Sequence, residues 1–348
     1  MACRPIDRLN PPVDRFDITT LGAEIVFDVS SLDNHDDVRE MGRRGLKHIK
    51  ITNVHRGVRP EPRKLADFLR QFPRLKVLDL RELKSTYRTD MQQIITAIFK
   101  YMPNMNFVTH LYLGPCGKSF GLMMWVLRRF PNLLTLSMPN SGLRLDEYNI
   151  LWAMWENLTC LDISKCKVND PVIHSIASNL NQLQELDISD PANELSNLGL
   201  AHLKNMQYLK KLVLLNCSFC DADERFLQDL SSGRIPLTTL HVSGHQMYGH
   251  QICKSIGDSR FQLTELKVGL GLTYDGLMAL LNNGKTSYVK LEFLYPIDTS
   301  EMADLWPALV QIQRSCQGLQ SVVFTDVVDR DYREEYIEDL RNARSRGR

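Results

Sequence analysis

The sequence has almost no excess charge of either sign and no long apolar run. Its 348 residues include 42 lysines and arginines against 41 aspartates and glutamates. Because a surface that binds nucleic acid or an anionic membrane needs a basic surplus, this balance predicts neither kind of partner. The longest apolar stretch, residues 120–127, is too short to cross a bilayer.

The amino terminus lacks the apolar segment of a secretory signal. Residues 1–8 carry charge and proline where that segment would stand. A chain of this length also folds without disulfides, so its eight cysteines are expected to be reduced thiols. These features predict a protein of the cytoplasm, the nucleus or both.

The common motifs of enzymes are also missing. The sequence contains no G-x-S-x-G, no H-E-x-x-H and no G-x-G-x-x-G followed by an acidic residue. Residues 283–286, Asn-Gly-Lys-Thr, resemble the end of a phosphate-binding loop, but Ala279 stands where that loop needs a glycine. Gly284 is therefore predicted to end a helix. We expect no catalytic residue, no cofactor and no enzyme activity.

An internal repeat is the main feature that the sequence does have. The template L-x-x-L-x-L-x-x-(N/C) fits eleven consecutive units, whose first residues lie 25 to 33 positions apart. The units begin at Leu46, Leu75, Val108, Leu133, Leu158, Leu183, Leu209, Leu237, Leu263, Tyr288 and Leu319. Each strand-like segment is followed by helix signals, such as Asp170 and Pro171 ahead of apolar Val172 and Ile176.

This alternation predicts an α/β solenoid in the shape of a horseshoe. A parallel sheet would line the concave face and helices the convex face. The repeats would occupy residues 46–329. Residues 1–45 are predicted to form an amino-terminal cap with a degenerate repeat unit, and residues 330–348 a capping helix with an apolar stripe and a basic tail.

Two groups of residues have the composition of a metal site, and each has another interpretation. Cys217 and Cys220 have the spacing of a redox or zinc pair, but no second pair follows, and Cys217 is the ninth repeat position, whose side chain is expected to turn inward. His241, His245, His250 and Cys253 lie close in sequence. In the repeat register His241 faces the concave side and His245 turns inward, so no metal site is predicted.

The concave face is the candidate binding site, because its side chains form an extended array that a partner can contact. Asp162, Glu185, Asp187 and Asp190 would form an acidic patch that receives a basic segment of a protein partner. The alternative is that such residues are only solvated strand positions. The candidate binding residues are Asp79, Tyr112, Asp162, Glu185, Asp187, Asp190, Lys210, Lys211, His241, Lys267 and Glu292.

The unit from Leu158 to Cys166, followed by residues 168–173 and a helix, resembles the cysteine-containing leucine-rich repeat. That repeat is typical of substrate receptors of ubiquitin ligases, including the F-box receptors and the family of ZYG-eleven and Zer-one. The resemblance implies a substrate-recognition subunit of a cullin-RING ligase, with elongin or Skp1 and a cullin as further partners. The alternative is a scaffold or inhibitor that acts without a ligase.

A ligase receptor of the cullin-two type carries an elongin-binding box. Residues 20–29 are similar to that box, with Ile25 in place of its central cysteine. The same residues also fit a capping strand, because they are rich in β-branched side chains.

Overall fold

The computed structural model describes residues 25–28, 46–52, 62–83, 100, 105–114, 128–218, 225–244, 248–269, 271–294, 299–325 and 333–346. In these ranges thirteen strands form one sheet, in which spatial order follows chain order. Strands β1 to β12 pair in parallel, and β13 pairs antiparallel with β12. The strands are β1 Ile25–Asp28, β2 His48–Thr52, β3 Val77–Asp79, β4 His110–Tyr112, β5 Thr135–Ser137, β6 Cys160–Asp162, β7 Glu185–Asp187, β8 Lys211–Cys217, β9 Thr239–Gly244, β10 Glu265–Val268, β11 Lys290–Leu294, β12 Ser321–Thr325 and β13 Arg333–Glu335.

Helices connect the parallel strands. The described helices are α1 Pro62–Leu69, α2 Leu145–Trp152, α3 Asp170–Asn179, α4 Asn197–Ala201, α5 Arg225–Ser232, α6 Gly249–Asp258, α7 Tyr274–Ala279, α8 Thr299–Ser315 and α9 Ile337–Arg346. Two short 3-10 helices, His202–Asn205 and Asn282–Gly284, follow α4 and α7. None of the described helices is long and apolar enough to span a membrane.

The repeat template predicts the strands to the residue. In all eleven units the strand begins at the third template position, two residues after the first apolar one. The fourth and sixth template positions are buried in every unit, as are the first positions apart from the half-buried Leu46. Because side chains alternate along a strand, these positions share the face that packs on the helices.

The turn repeats as well in four successive units, those of β5 to β8. Asn140, Lys165, Asp190 and Asn216 occupy the eighth template position, and each has a positive φ between 51° and 61°. The short polar side chains of asparagine and aspartate tolerate this left-handed backbone best, and three of the four residues are of that kind.

The start of α3 differs from the prediction by one residue. Asn169, not Asp170, is the N-cap, and its side chain accepts a hydrogen bond from the Val172 amide. Pro171 is then the second helical residue. Backbone amides of the first helical turn have no carbonyl partner within the helix, so a proline there removes no hydrogen bond. The Asp170 carboxylate instead accepts from the Ser196 amide at 3.0 Å and joins α3 to the next unit.

The carboxyl end is also different from the prediction. Residues 333–335 form the antiparallel strand β13, and the helix begins only at Ile337. The ring of Tyr336 packs at 90° against Phe324, with 5.5 Å between ring centroids, and Leu340 is fully buried. The apolar stripe predicted for one helix is therefore shared by a strand end and a helix.

At the amino end, residues 25–28 form a strand that pairs with β2, as the capping-strand interpretation predicts. Several predictions lie outside the described residues: those that concern Cys220, His245, residues 20–24, the rest of the amino-terminal cap apart from residues 25–28, and residues 330–332.

Candidate functional site

The fifth template position forms one continuous row across the sheet, which we call the central row. Strand register places each member directly beside the next. The central row consists of Lys50, Asp79, Tyr112, Ser137, Asp162, Asp187, Val213, His241, Lys267, Glu292 and Val323. Seven of the eleven predicted binding residues therefore lie in a single line on the face opposite the helices.

The third template position forms a parallel row, the adjacent row. It consists of His48, Val77, His110, Thr135, Cys160, Glu185, Lys211, Thr239, Glu265, Lys290 and Ser321. Glu185 and Lys211 belong to this row. Lys210 precedes β8 and Asp190 follows β7, so these two predicted residues lie at opposite edges of the sheet.

Most charged members of the central row are buried. Asp79 is 0% exposed, and Asp162, Asp187 and Glu292 are also buried. Neighbouring strands in a sheet are about 4.8 Å apart, so a side chain in a row is covered by those on either side. The interpretation of the candidate residues as solvated is therefore wrong for these four residues and for Lys267, which is also buried. It fits Lys210, which is exposed and lies outside the central row.

Three aspartates of the central row have the same backbone role. The carboxylates of Asp79, Asp162 and Asp187 accept hydrogen bonds from the amides of residues 81, 164 and 189, at 2.9 to 3.0 Å. Each therefore satisfies a donor where its strand ends. Asp162 also accepts from the Ser137 hydroxyl at 2.8 Å. Substituting these aspartates would disturb the turns as well as any partner contact.

The amino-terminal part of the face combines an ion pair with an apolar cluster. The Arg81 guanidinium donates three hydrogen bonds to the Asp79 carboxylate, two from Nε at 3.1 Å and one from Nη2 at 2.7 Å. It lies 4.7 Å from the centroid of the Tyr112 ring. Tyr112 packs on Val77 with Cys160 beside them. Burial raises the pKa of the Cys160 thiol to about 11, so this thiol is neutral and a poor nucleophile near pH 7.

The carboxyl-terminal part of the face holds two groups of charged side chains, one around Glu265 and one around Glu292. His241 and Lys290 each lie 3.1 Å from the same oxygen of Glu265. The hydrogen bond from His241, the charges of both neighbours and the bond from Lys290 together lower the pKa of Glu265 to about 2, although burial opposes this shift. Lys267 donates to Glu292 at 2.6 Å, and Thr325 donates to the same carboxylate.

Sequence reasoning missed Arg81, Glu265 and Lys290 as members of this face. A signal for the last two exists in the sequence: they occupy the same template position in successive units and carry opposite charges. The predicted acidic patch also has a basic neighbour, because the Lys211 ammonium lies 3.8 Å from the Glu185 carboxylate.

The ninth template position turns inward, as predicted for Cys217. Cys166 shows the arrangement most clearly, because its sulfur accepts from the Ser141 amide at 3.3 Å and lies 3.5 Å from the Met138 carbonyl. Burial raises the pKa of both cysteines. The five cysteines within the described ranges are free thiols.

Lys285, from the stretch that resembles a phosphate-binding loop, has a structural role. Its ammonium is buried and donates to the carbonyls of Gly257 at 2.8 Å and Ser259 at 2.7 Å, at the end of α6. Gly284, with a φ of 70°, ends the short helix before it. Among the residues that the structure describes, no group of three or more histidine, cysteine or acidic side chains could hold a metal ion.

Comparison with known proteins identifies the architecture. The leucine-rich repeat-containing protein LegL7 from Legionella pneumophila matches with a TM-score of 0.50 and 14% sequence identity, over 86% of this chain and 99% of that one. The chain is a leucine-rich-repeat solenoid. No protein-family profile and no curated protein matches its sequence.

Two further solved structures are similar to this solenoid over most of its length. An internalin from Listeria monocytogenes has 16% identity and a TM-score of 0.37, over 75% of this chain and 70% of that one. A structure of the Rad7 and Elc1 complex from yeast has 14% identity and a TM-score of 0.45, over 86% of this chain and 84% of the other.

Proposed function

We propose that this solenoid binds a protein partner along the central and adjacent rows of its concave face. The observation that carries the proposal is the register, which aligns eleven successive side chains in each of two rows. Such an array presents a long, rigid surface that a partner can contact over many repeats. The neutral, buried thiols of the described repeats favour a role in binding over nucleophilic catalysis.

The burial of the aspartates indicates which charges a partner would contact. Glu185, Lys211 and Lys290 keep part of their side chains accessible, and Lys210 is exposed. Asp190 is half-buried in the turn after β7. We assign recognition to these residues and retain the proposal that a basic segment of the partner contacts the acidic patch, chiefly at Glu185 and Asp190.

A charge-reversal series at Glu185 and Lys211 tests this assignment. Glu185→Lys and Lys211→Glu each create a pair of like charges. The double variant restores an ion pair in which the positive and negative charges have exchanged positions. Because the pair is partly exposed, we expect stability to change by less than about 1 kcal/mol. A protein recovered by affinity purification with the wild type should be lost with Glu185→Lys and with the double variant.

Lys254→Glu is the matched control, because Lys254 is exposed on α6, away from the two rows. Its affinity for the partner should equal that of the wild type. If the double variant bound the partner as well as the wild type does, binding would not depend on which of the two positions carries the negative charge. The assignment would then be wrong.

A finer proposal is that the chain is the substrate-recognition subunit of a cullin-RING ubiquitin ligase in the cytoplasm, the nucleus or both. Its support is the resemblance of the unit from Leu158 to Cys166 to the repeats of such receptors. Residues 25–28, the part of the elongin-box similarity within the described chain, form a strand. That strand favours the interpretation of these residues as a cap over their interpretation as an elongin-binding box.

Affinity purification at physiological salt distinguishes the ligase from the scaffold or inhibitor. Elongin or Skp1 recovered together with a cullin would support the ligase proposal. One stoichiometric partner without an adaptor or cullin would refute it in favour of the scaffold or inhibitor. Binding by the concave face is common to both outcomes, and the charge-reversal series tests it separately.

A further inference from the structure

Two exposed histidines from successive repeats meet on the helical side of the solenoid. His174 belongs to α3, and His202 is the first residue of the 3-10 helix that follows α4. Their Nδ1 atoms are 3.3 Å apart, with 4.4 Å between ring centroids and 66° between ring planes. The pair lies on the face opposite the central row and is separate from the proposed partner site.

The backbone on both sides of this pair is held in place by packing. Ile173 and Ile176 are buried on either side of the first histidine, and Leu203 is buried next to the second. The hydrogen bonds from the amide and hydroxyl of Ser196 to the Asp170 carboxylate fix the two units against each other. The stacking of repeats therefore holds the backbone of the two histidines in a defined arrangement, which reduces the entropy lost when their side chains bind one ligand together.

The separation of the two nitrogens matches that of two ligands on one metal ion. A direct N–H···N contact is usually shorter, since hydrogen bonds from nitrogen cluster at about 2.9 to 3.0 Å. Zinc bonds to histidine nitrogen at about 2.0 to 2.1 Å in tetrahedral geometry, which places two ligand nitrogens about 3.4 Å apart. We propose that His174 and His202 together bind one divalent transition-metal ion through their Nδ1 atoms.

The donor set indicates the class of metal and the type of site. Neutral imidazole suits zinc, copper and nickel, whereas calcium and magnesium prefer oxygen ligands. An ion held by two imidazoles alone keeps water at its remaining coordination positions. Such a site is open and exchangeable, unlike the closed four-ligand sites that stabilise small zinc domains.

Metal titration of single variants tests the proposal. The full chain is titrated with zinc chloride by calorimetry at pH 7.5, as wild type, His174→Gln and His202→Gln. Each substitution should weaken the zinc site roughly tenfold or more, because a second ligand on the same rigid surface acts at high effective concentration. His250→Gln, which changes a histidine of another helix, should bind zinc as the wild type does.

Histidine-labelled NMR locates the ion. Zinc should shift the Nδ1 resonances of His174 and His202, and lowering the pH should weaken the effect because protons compete for imidazole. Circular dichroism checks that each variant is folded. The proposal is overturned if zinc leaves these two resonances unchanged, or if both single variants keep the wild-type affinity. Either result would leave the proposed partner site unaffected.

Discussion

Lys285 shows how a charged residue can stabilise the stack of repeats from within. Its ammonium is buried and donates to the carbonyls of Gly257 and Ser259, which α6 leaves without partners at its end. Burial lowers the pKa of Lys285, which reflects the cost of keeping a cation there. Its two hydrogen bonds and the negative end of the helix dipole offset part of this cost.

Replacing this lysine with methionine should destabilise the protein. Lys285→Met keeps the aliphatic chain but removes the donor to the Ser259 carbonyl and leaves the Gly257 carbonyl with the Asn283 side-chain amide, at 3.0 Å. We expect a loss of about 1 to 3 kcal/mol. Urea unfolding at pH 7 measures the change. The control, Lys254→Met on the exposed side of α6, should stay within about 0.5 kcal/mol of wild type. Equal stability of both variants would contradict the capping role.

His48 makes the stability of the protein depend on pH. It lies in the adjacent row and is buried, and burial lowers its pKa from 6.5 to about 4, a shift that the charge of Asp79 only partly opposes. Between these two values the unfolded chain binds a proton that the folded chain excludes. The free energy of unfolding should therefore decrease as the pH falls from about 6.5 to about 4.

The variant His48→Gln should lack this part of the pH dependence. Urea midpoints measured at intervals between pH 7 and pH 4, for the wild type and for His48→Gln, test the expectation. An unchanged slope in His48→Gln would show that other groups cause the loss of stability.

At the scale of single elements, α3 depends on its N-cap. The Asn169 side chain accepts the Val172 amide, one of the donors that the first helical turn leaves without a partner. Asn169→Ala should therefore cost about 1 kcal/mol, whereas Asn169→Asp should be close to neutral because both residues cap well. Thermal or urea unfolding compares the two. If aspartate and alanine were equally destabilising, packing rather than the cap would decide the start of this helix.

The strands and helices also show which element bounds can be predicted from the sequence. The position of each strand follows from the three apolar side chains of its unit, at the first, fourth and sixth template positions. These three side chains must all pack into the same core. The N-cap of α3 is Asn169, one residue before the predicted Asp170, since asparagine and aspartate are equally good caps and only the backbone conformation selects between them. Strand β13 was missed, because its pairing with β12 depends on a neighbour that the sequence of residues 333–335 does not encode.

At the scale of the whole molecule, one apolar core runs through the described repeats, from Ile49 to Leu340. Each unit buries its leucines against both neighbours, so a defect in one unit is transmitted along the stack. We therefore expect the repeats to unfold in one cooperative transition.

A core substitution in a central unit tests this continuity. Leu161 is fully buried, and Leu161→Ala should remove about 2 to 5 kcal/mol. Leu198→Ala, at a position that is 78% exposed, should change stability by less than about 0.5 kcal/mol. Tryptophan fluorescence and circular dichroism should give coincident curves for Leu161→Ala. Two separate transitions would contradict a single cooperative stack.

The sequence by itself determined the α/β solenoid, the number of repeats and the line of residues on the concave face. These follow from a local rule: the period of the apolar positions fixes which side chains face the core, whatever the neighbouring unit contains. The tertiary structure decided what those side chains do. Asp79 is buried against its own turn, Glu265 lies between His241 and Lys290, and His174 meets His202. Contacts between units depend on how closely successive repeats stack. The sequence of a single repeat does not determine that separation.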